Sequence, residues 1–233
     1  MLTSKTPMRA PALGDQLADV MREQIVRRAL RPGTHLVEDS LAAQYGVSRG
    51  PVRDALRLLE TQGLVESRRR GFFVVGLTQR DIEDLYELRE AIEVVAVTRA
   101  IELATPERLE AGRAIVREMV AAADRSHARE FAQADLRFHA LLYELGGNRR
   151  LIDVWKDCRP LIASLMRLTV EEDVDLHPSA HDHGRLLELI AAGEADPLAA
   201  AMRAHLRGAR DRMGRAVLAM IEAEAGWTEE SAS

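Results

Sequence analysis

Apolar residues recur at helical spacing along most of this chain, and glycine, proline and capping residues punctuate the periodic stretches. Leu13, Leu17, Val20, Met21, Ile25 and Leu30 predict a first helix over about 13–30, stopped by Arg31-Pro32-Gly33. A short helix over about 38–45 ends at Gly46, since only glycine turns through positive φ at no steric cost. Ser48 then reads as an N-cap and Pro51 falls in the first turn of the next helix, where its missing N–H is not needed. Val52, Ala55, Leu56 and Leu59 form the buried stripe of that helix, which ends near Gly63. Leu64-Val65-Glu66 and Phe72-Phe73-Val74-Val75 have strand character and flank the basic turn Ser67-Arg68-Arg69-Arg70-Gly71. Two helices joined by a tight turn, followed by a two-stranded hairpin, predict a winged helix-turn-helix.

Beyond Thr78 the period is helical throughout. Thr78-Gln79-Arg80-Asp81 resembles a capping box, and Thr105-Pro106 and Asp196-Pro197 each set a cap before a proline. Six amphipathic segments are expected, near 79–103, 106–124, 128–145, 149–170, 179–192 and 197–224. With no credible strand among them, they predict an antiparallel all-helical bundle. The fold class is therefore mainly α. The expected divisions are a flexible 1–11, the winged helix-turn-helix over 12–76, the helical bundle over 77–226, and a flexible tail over 227–233.

Composition fits this plan. The chain is 47% hydrophobic and 30% charged, with no apolar run of the roughly 20 residues that span a bilayer. The first dozen residues lack the continuous apolar core of a secretory signal, and a single cysteine, Cys158, offers no internal disulfide. A cytoplasmic protein without a membrane partner is expected. The net charge of −5 divides unevenly. Residues 1–76 carry 12 Lys and Arg against 8 Asp and Glu, net +4, and the remainder carries 20 against 29, net −9. A basic head on an acidic body suits a nucleic-acid-binding domain joined to something else.

Two sets of side chains carry candidate chemistry. Arg49, Arg53 and Arg57 lie four apart on one edge of the second helix of the motif, and guanidinium groups pair with guanine edges or phosphates. A solvated basic face is the plainer alternative. Arg69 and Arg70, with Gly71, stand at the wing, where a phosphate or minor-groove contact competes with an ordinary surface loop. In the bundle, Asp135 and His139 lie four apart among Phe131, Phe138, Leu142 and Leu145. His183 joins the stripe of Leu186, Leu187 and Ile190, and His205 that of Leu198, Met202 and Ala209. Three imidazoles and a carboxylate directed at one interior suit Zn, Ni or Mn, although any one of these histidines alone reads as a core residue. His181, two residues from His183, should face solvent, while His35, His127 and His177 fall near helix ends or turns. Arg89 interrupts the stripe Ile82, Leu85, Ile92, Ala96. A buried guanidinium requires an anion, either an internal Asp or Glu or the carboxylate of an effector.

These residues resemble the GntR family of bacterial transcriptional regulators, in its FadR-like branch with an FCD ligand-binding domain. The resemblance rests on Leu36-x-Glu38-x-x-Leu41-Ala42, Gly46-Val47-Ser48-Arg49-x-Pro51-Val52-Arg53-x-Ala55-Leu56 and the wing Gly63-Leu64-Val65 with Arg70-Gly71-Phe72. It continues through Leu85-Tyr86-x-Leu88-Arg89-x-x-Ile92-Glu93, Asp135-x-x-Phe138-His139, Gly147-Asn148-x-x-Leu151, His183-x-x-Leu186-Leu187 and Met202-x-x-His205-Leu206. It implies a homodimer on a palindromic operator, released by a small organic acid. It also implies operator contacts from Ser48, Arg49, Gly50, Pro51 and Arg53, a minor-groove contact from Arg70-Gly71, and metal ligation by Asp135, His139, His183 and His205. Several relatives carry a basic residue where Asp39 stands, so that part of the usual grip is altered here.

The leading expectation is a repressor of a metabolic operon released by a carboxylate bound at the metal, with Arg89 as its anchor. A metal-dependent hydrolase with an accessory DNA-binding head is the alternative, since such a metal can activate water. No H-E-x-x-H motif supplies a base for it. A metal with a purely structural role, and an effector bound elsewhere, is the third possibility.

Overall fold

The computed structural model describes residues 12–170 and 175–230, with side chains described as far as residue 222. The chain divides into two compact units, residues 1–77 and 78–233. Among the described residues there are nine helices and one three-stranded sheet. None of these helices is long and apolar enough to cross a membrane.

In the first unit, α1 (Leu13–Val26), α2 (Glu38–Tyr45) and α3 (Arg49–Thr61) pack around a small core, with α3 set against both α1 and α2. Val52, Ala55, Leu56 and Leu59 of α3 are completely buried, as their spacing predicts. Burial of each larger side chain contributes about 1.5–3 kcal/mol, so this stripe anchors the helix. Gly46 closes α2 in the left-handed region at φ 65°, and its N–H donates to the carbonyl of Ala42. Ser48 occupies the N-cap position of α3 in extended conformation, but its side chain makes no capping hydrogen bond. The expected cap is thus positional only. α1 stops four residues earlier than the apolar pattern predicts, because Arg28 turns through φ 59° and the chain leaves the helix there. Its buried face is Leu17, Ala18, Met21 and Ile25, which leaves Leu13 and Val20 exposed.

The wing is a hairpin of β2 (Val65–Arg68) and β3 (Gly71–Val74), with Arg68 opposite Gly71. A third strand, β1 (His35–Leu36), pairs with the other edge of β3 and gives the order β1-β3-β2. Two residues are too short for an alternating pattern, so β1 has no sequence signature.

The second unit holds α4 (Gln79–Leu103), α5 (Pro106–Asp124), α6 (Ala128–Gly146), α7 (Arg149–Thr169), α8 (His177–Ala192) and α9 (Ala195–Glu230). Thr78 and Asp81 form the expected capping box on α4, and Thr105 caps α5 ahead of Pro106. The middle of the unit is α6, which packs on α4, α5 and α7, while α9 lies against α4, α7 and α8. At Gly146, a Cβ would stand 2.5 Å from the carbonyl oxygen of Ala96, so only glycine lets α6 and α4 approach this closely. α9 runs six residues beyond its expected end at 224. Of the flexible ends expected at 1–11 and 227–233, residues 1–11 and 231–233 lie outside the described residues, while 227–230 continue α9 as helix.

Candidate metal centre and nucleic-acid interface

On the first unit, α3 presents a basic edge. Ser48, Arg49, Gly50, Arg53 and Arg57 are exposed, and Pro51 is half-buried in the first turn. Two acidic residues of α2 engage this edge. Glu38 accepts from Arg53 Nη2 at 2.8 Å and Nε at 3.2 Å, and Asp39 forms an ion pair with Arg49. The hydrogen bond from Arg53 holds the Glu38 carboxyl below its ordinary range. Both pairs stand in water, where such contacts contribute little and exchange readily for phosphate. Arg69 and Arg70 form the exposed tip of the wing, with Gly71 half-buried beside them. Arg68 is turned away, over the Phe73 ring and onto Glu66. His35 stacks on Phe73 with ring centroids 4.6 Å apart, and its Nε2 lies 2.9 Å from the Arg70 carbonyl oxygen. A lone histidine in a two-residue strand gives no sequence signal for that role.

In the second unit, α6 supplies Asp135 and His139, α8 supplies His183 and α9 supplies His205. All four are buried. One ring nitrogen from each histidine lies within 4.8 Å of the others. His139 Nε2 is 3.4 Å from His205 Nε2 and 3.5 Å from Asp135 Oδ1, and His183 Nε2 is 3.3 Å from Asp135 Oδ2. The structure therefore brings the four sequence-predicted residues together, while His181 is exposed on the far side of α8. His127 and His177 are engaged at the surface with Glu130, and with Asp124 and Asp175.

The outward ring nitrogens are oriented from behind. His139 Nδ1 lies 2.6 Å from Glu93 Oε2, and His183 Nδ1 lies 2.6 Å from the carbonyl oxygen of Ser179. Carboxylate and carbonyl oxygens only accept, so in its neutral form each ring carries the proton on Nδ1 and directs the Nε2 lone pair inward. His205 Nδ1 faces Asp182 at 4.0 Å. His183 Nε2 is buried and has no partner in hydrogen-bonding geometry, although Asp135 is within ion-pair range. An orphaned buried nitrogen beside two more imidazoles and a carboxylate is the donor set of a divalent transition metal.

Electrostatics follow from this crowding. Burial alone would push the Asp135 carboxyl up, but the adjacent imidazole of His183 holds it well below the carboxylate range. For His183, burial opposes protonation and Asp135 outweighs it, so its pKa is raised. Burial and the neighbouring His183 lower His205 to about 4.

Arg89 is buried, as its place in an apolar stripe predicts, and its anion is internal. Nε donates to Glu93 Oε1 at 2.7 Å, and the guanidinium lies over the Tyr86 and Trp155 rings. Burial would raise the Glu93 carboxyl, yet Arg89 and then His139 bring it down to about 2. The buried face of α4 is Ile82, Tyr86, Arg89, Glu93, Ala96, Val97 and Ala100, while Leu85 and Ile92 are only half-buried. An effector is thus not required to neutralise Arg89. Glu93 escaped a reading based on apolar periodicity, although its i,i+4 spacing from Arg89 was the available signal.

Arg89, Asp135, His139 and His205 line a cavity shared with Phe131, Met166 and Arg212. The cavity is small, about 30 Å³, enough for an ion and a water or two.

The comparisons with known proteins agree with this geometry. Residues 13–75 match the family described as bacterial regulatory proteins, gntR family, and residues 84–208 match the FCD domain. The chain is 33% identical to the Nta operon transcriptional regulator of Aminobacter aminovorans over 182 residues, covering 76% of this chain and 83% of that one. It is 27% identical to the gluconate operon transcriptional repressor of Bacillus subtilis (strain 168), covering 75% and 71%. In fold it resembles E. coli McbR/YncC, with a TM-score of 0.64 at 19% identity over 92% of this chain and 100% of that structure. These relatives and this fold belong to regulators and not to enzymes, which sets the hydrolase alternative aside. A winged helix-turn-helix joined to a helical unit with a buried histidine cluster, matched along both parts, makes this chain a GntR-family transcriptional regulator with an FCD domain.

Proposed function

We propose that this regulator is a cytoplasmic, metabolite-responsive repressor that binds a palindromic operator as a homodimer and is released by a small organic acid. Repression is favoured by the Bacillus subtilis relative, itself an operon repressor. Ser48, Arg49, Gly50, Pro51, Arg53 and Arg57 of the helix-turn-helix meet the major groove, and Arg69, Arg70 and Gly71 meet the adjacent backbone or minor groove. Leu88, Val95 and Leu103 stand exposed at two-turn intervals on α4, which supports contact with a second copy through the helical domain.

Asp135, His139, His183 and His205 hold a divalent transition metal, zinc in the first instance and nickel or manganese as alternatives. When bound, such an ion supplies positive charge and open coordination positions for a carboxylate. The orphaned Nε2 of His183 is the observation that carries this assignment. Arg89 lines the same cavity and adds a fixed cation, shared with Glu93. Because the cavity admits little more than an ion and a water or two, an organic acid fits only a conformation with a wider cavity. Preferential binding to that conformation is the differential affinity that a ligand needs to shift an equilibrium away from the operator-binding form.

Elemental analysis of protein purified without chelator tests the assignment. About one transition metal per subunit is expected, lost in His183→Ala and retained in His181→Ala. Equal loss in both variants overturns it. A thermal-shift screen of small organic acids on the metal-loaded protein, followed by gel shift with the hits, tests the release.

A further inference from the structure

The orientation of His139, on α6, is set through a side chain of another helix, α4. Its Nδ1 and Glu93 Oε2 are 2.6 Å apart, with the Glu93 side chain completely buried. Glu93 is also salt-bridged to Arg89 through its other oxygen at 2.7 Å, which makes it a carboxylate and therefore an acceptor only. The short contact at 2.6 Å puts the proton between Glu93 and His139 on Nδ1 and leaves the lone pair on Nε2, with Arg89 Nη2 lying 3.4 Å from Nδ1 and 3.5 Å from Nε2. That Nε2 is the atom 3.4 Å from His205 Nε2 and 3.5 Å from Asp135 Oδ1. Neutralising Arg89 occupies one oxygen of Glu93, and an apolar pair of similar size can often replace a buried ion pair without loss of stability. A role for the second oxygen, on His139, gives the charged pair a purpose beyond packing.

We propose that Glu93 is a positioning residue of the metal centre, which ties Arg89 to His139 and holds the His139 ring with its Nε2 lone pair presented to a divalent transition metal. This rests on the metal reading above. Carboxylates behind ligating histidines fix tautomer and ring orientation, and their loss typically lowers metal affinity by about 10- to 100-fold.

The test uses the full chain, stripped with chelator and titrated with zinc against a chromophoric competitor. The tautomer of His139 is read from its imidazole 15N shifts in the metal-free protein. Arg89→Met with Glu93→Met removes both charges together and leaves no unpaired guanidinium. This double variant should bind zinc about 10- to 100-fold more weakly, and its His139 should become a mixture of tautomers. Glu93→Asp, which keeps the acceptor, should retain the Nδ1–H form and lose less affinity than the double variant. Glu93→Gln, with an amide that can donate as well as accept, is the second variant should the double fail to fold, and it should also weaken zinc binding. Wild-type affinity in the folded double variant or in Glu93→Gln, or an unchanged tautomer in the double, overturns the role of Glu93. A wild type that binds none of zinc, nickel or manganese overturns the metal reading itself and this inference with it.

Discussion

Single side chains divide here by whether their partners are water or protein. Arg49 and Arg53 are more than half exposed and rest on Asp39 and Glu38, contacts that a phosphate can replace. Arg49→Ala or Arg53→Ala should weaken operator binding by about 1–3 kcal/mol while the protein stays folded. Unchanged gel shifts for both would remove α3 from the groove. Asp39→Ala should have the opposite sign. It frees Arg49 from an exposed ion pair worth at most about 1 kcal/mol, so operator affinity should rise by up to about fivefold. Weaker binding in that variant would mean that Asp39 itself contacts DNA. Arg89 belongs to the other class. Its place in an apolar stripe was legible in the sequence, but the identity of its anion was not, because Glu93 interrupts the pattern by which buried faces are recognised.

Helices and strands in this chain were readable in proportion to their length and periodicity. α3 carries a complete apolar stripe with a glycine before it, and its observed bounds and burial follow that pattern closely. β1 has two residues and exists only because β3 offers it an edge. On α4, two apolar sets compete. Ile82, Tyr86, Ala96, Val97 and Ala100 face the core, while Leu85, Leu88, Ile92 and Val95 form a second, more exposed stripe. Only the packing of α4 against α6 and α9 decides which set is buried. The contact at Gly146 makes this packing testable. Gly146→Ala brings a methyl group within 2.5 Å of the Ala96 carbonyl oxygen. It should destabilise the helical unit by about 1–3 kcal/mol, read as a lower urea midpoint for that unit's transition. A midpoint equal to wild type would show that α6 and α4 can separate at little cost.

Over the whole molecule, the buried cluster couples stability to pH. The folded pKa of His205 is lowered to about 4, so the folded state favours its neutral form. Above the unfolded value of about 6.5 this contribution is present in full, and it is lost as pH falls from there through the folded value. His183 is shifted upward, so its contribution is full below about 6.5 and does not offset that loss. Metal-free protein should therefore lose stability on the order of 2 kcal/mol between pH 6.5 and 4.5. His205→Gln should lose distinctly less over the same interval, with urea midpoints as the measure. Parallel pH profiles would mean that His205 is not neutral in the folded state.

The sequence by itself determined the winged helix-turn-helix, the helical body, the basic edge of α3 and the four inward residues Asp135, His139, His183 and His205. Each of these is a local property, set by periodicity, capping chemistry and side-chain type within one element. Tertiary structure alone decided that Glu93 stands behind His139 and that acidic side chains of α2 occupy the arginines of α3. Those contacts arise where separate segments meet, and hydrogen-bond direction and burial exist only once they have met.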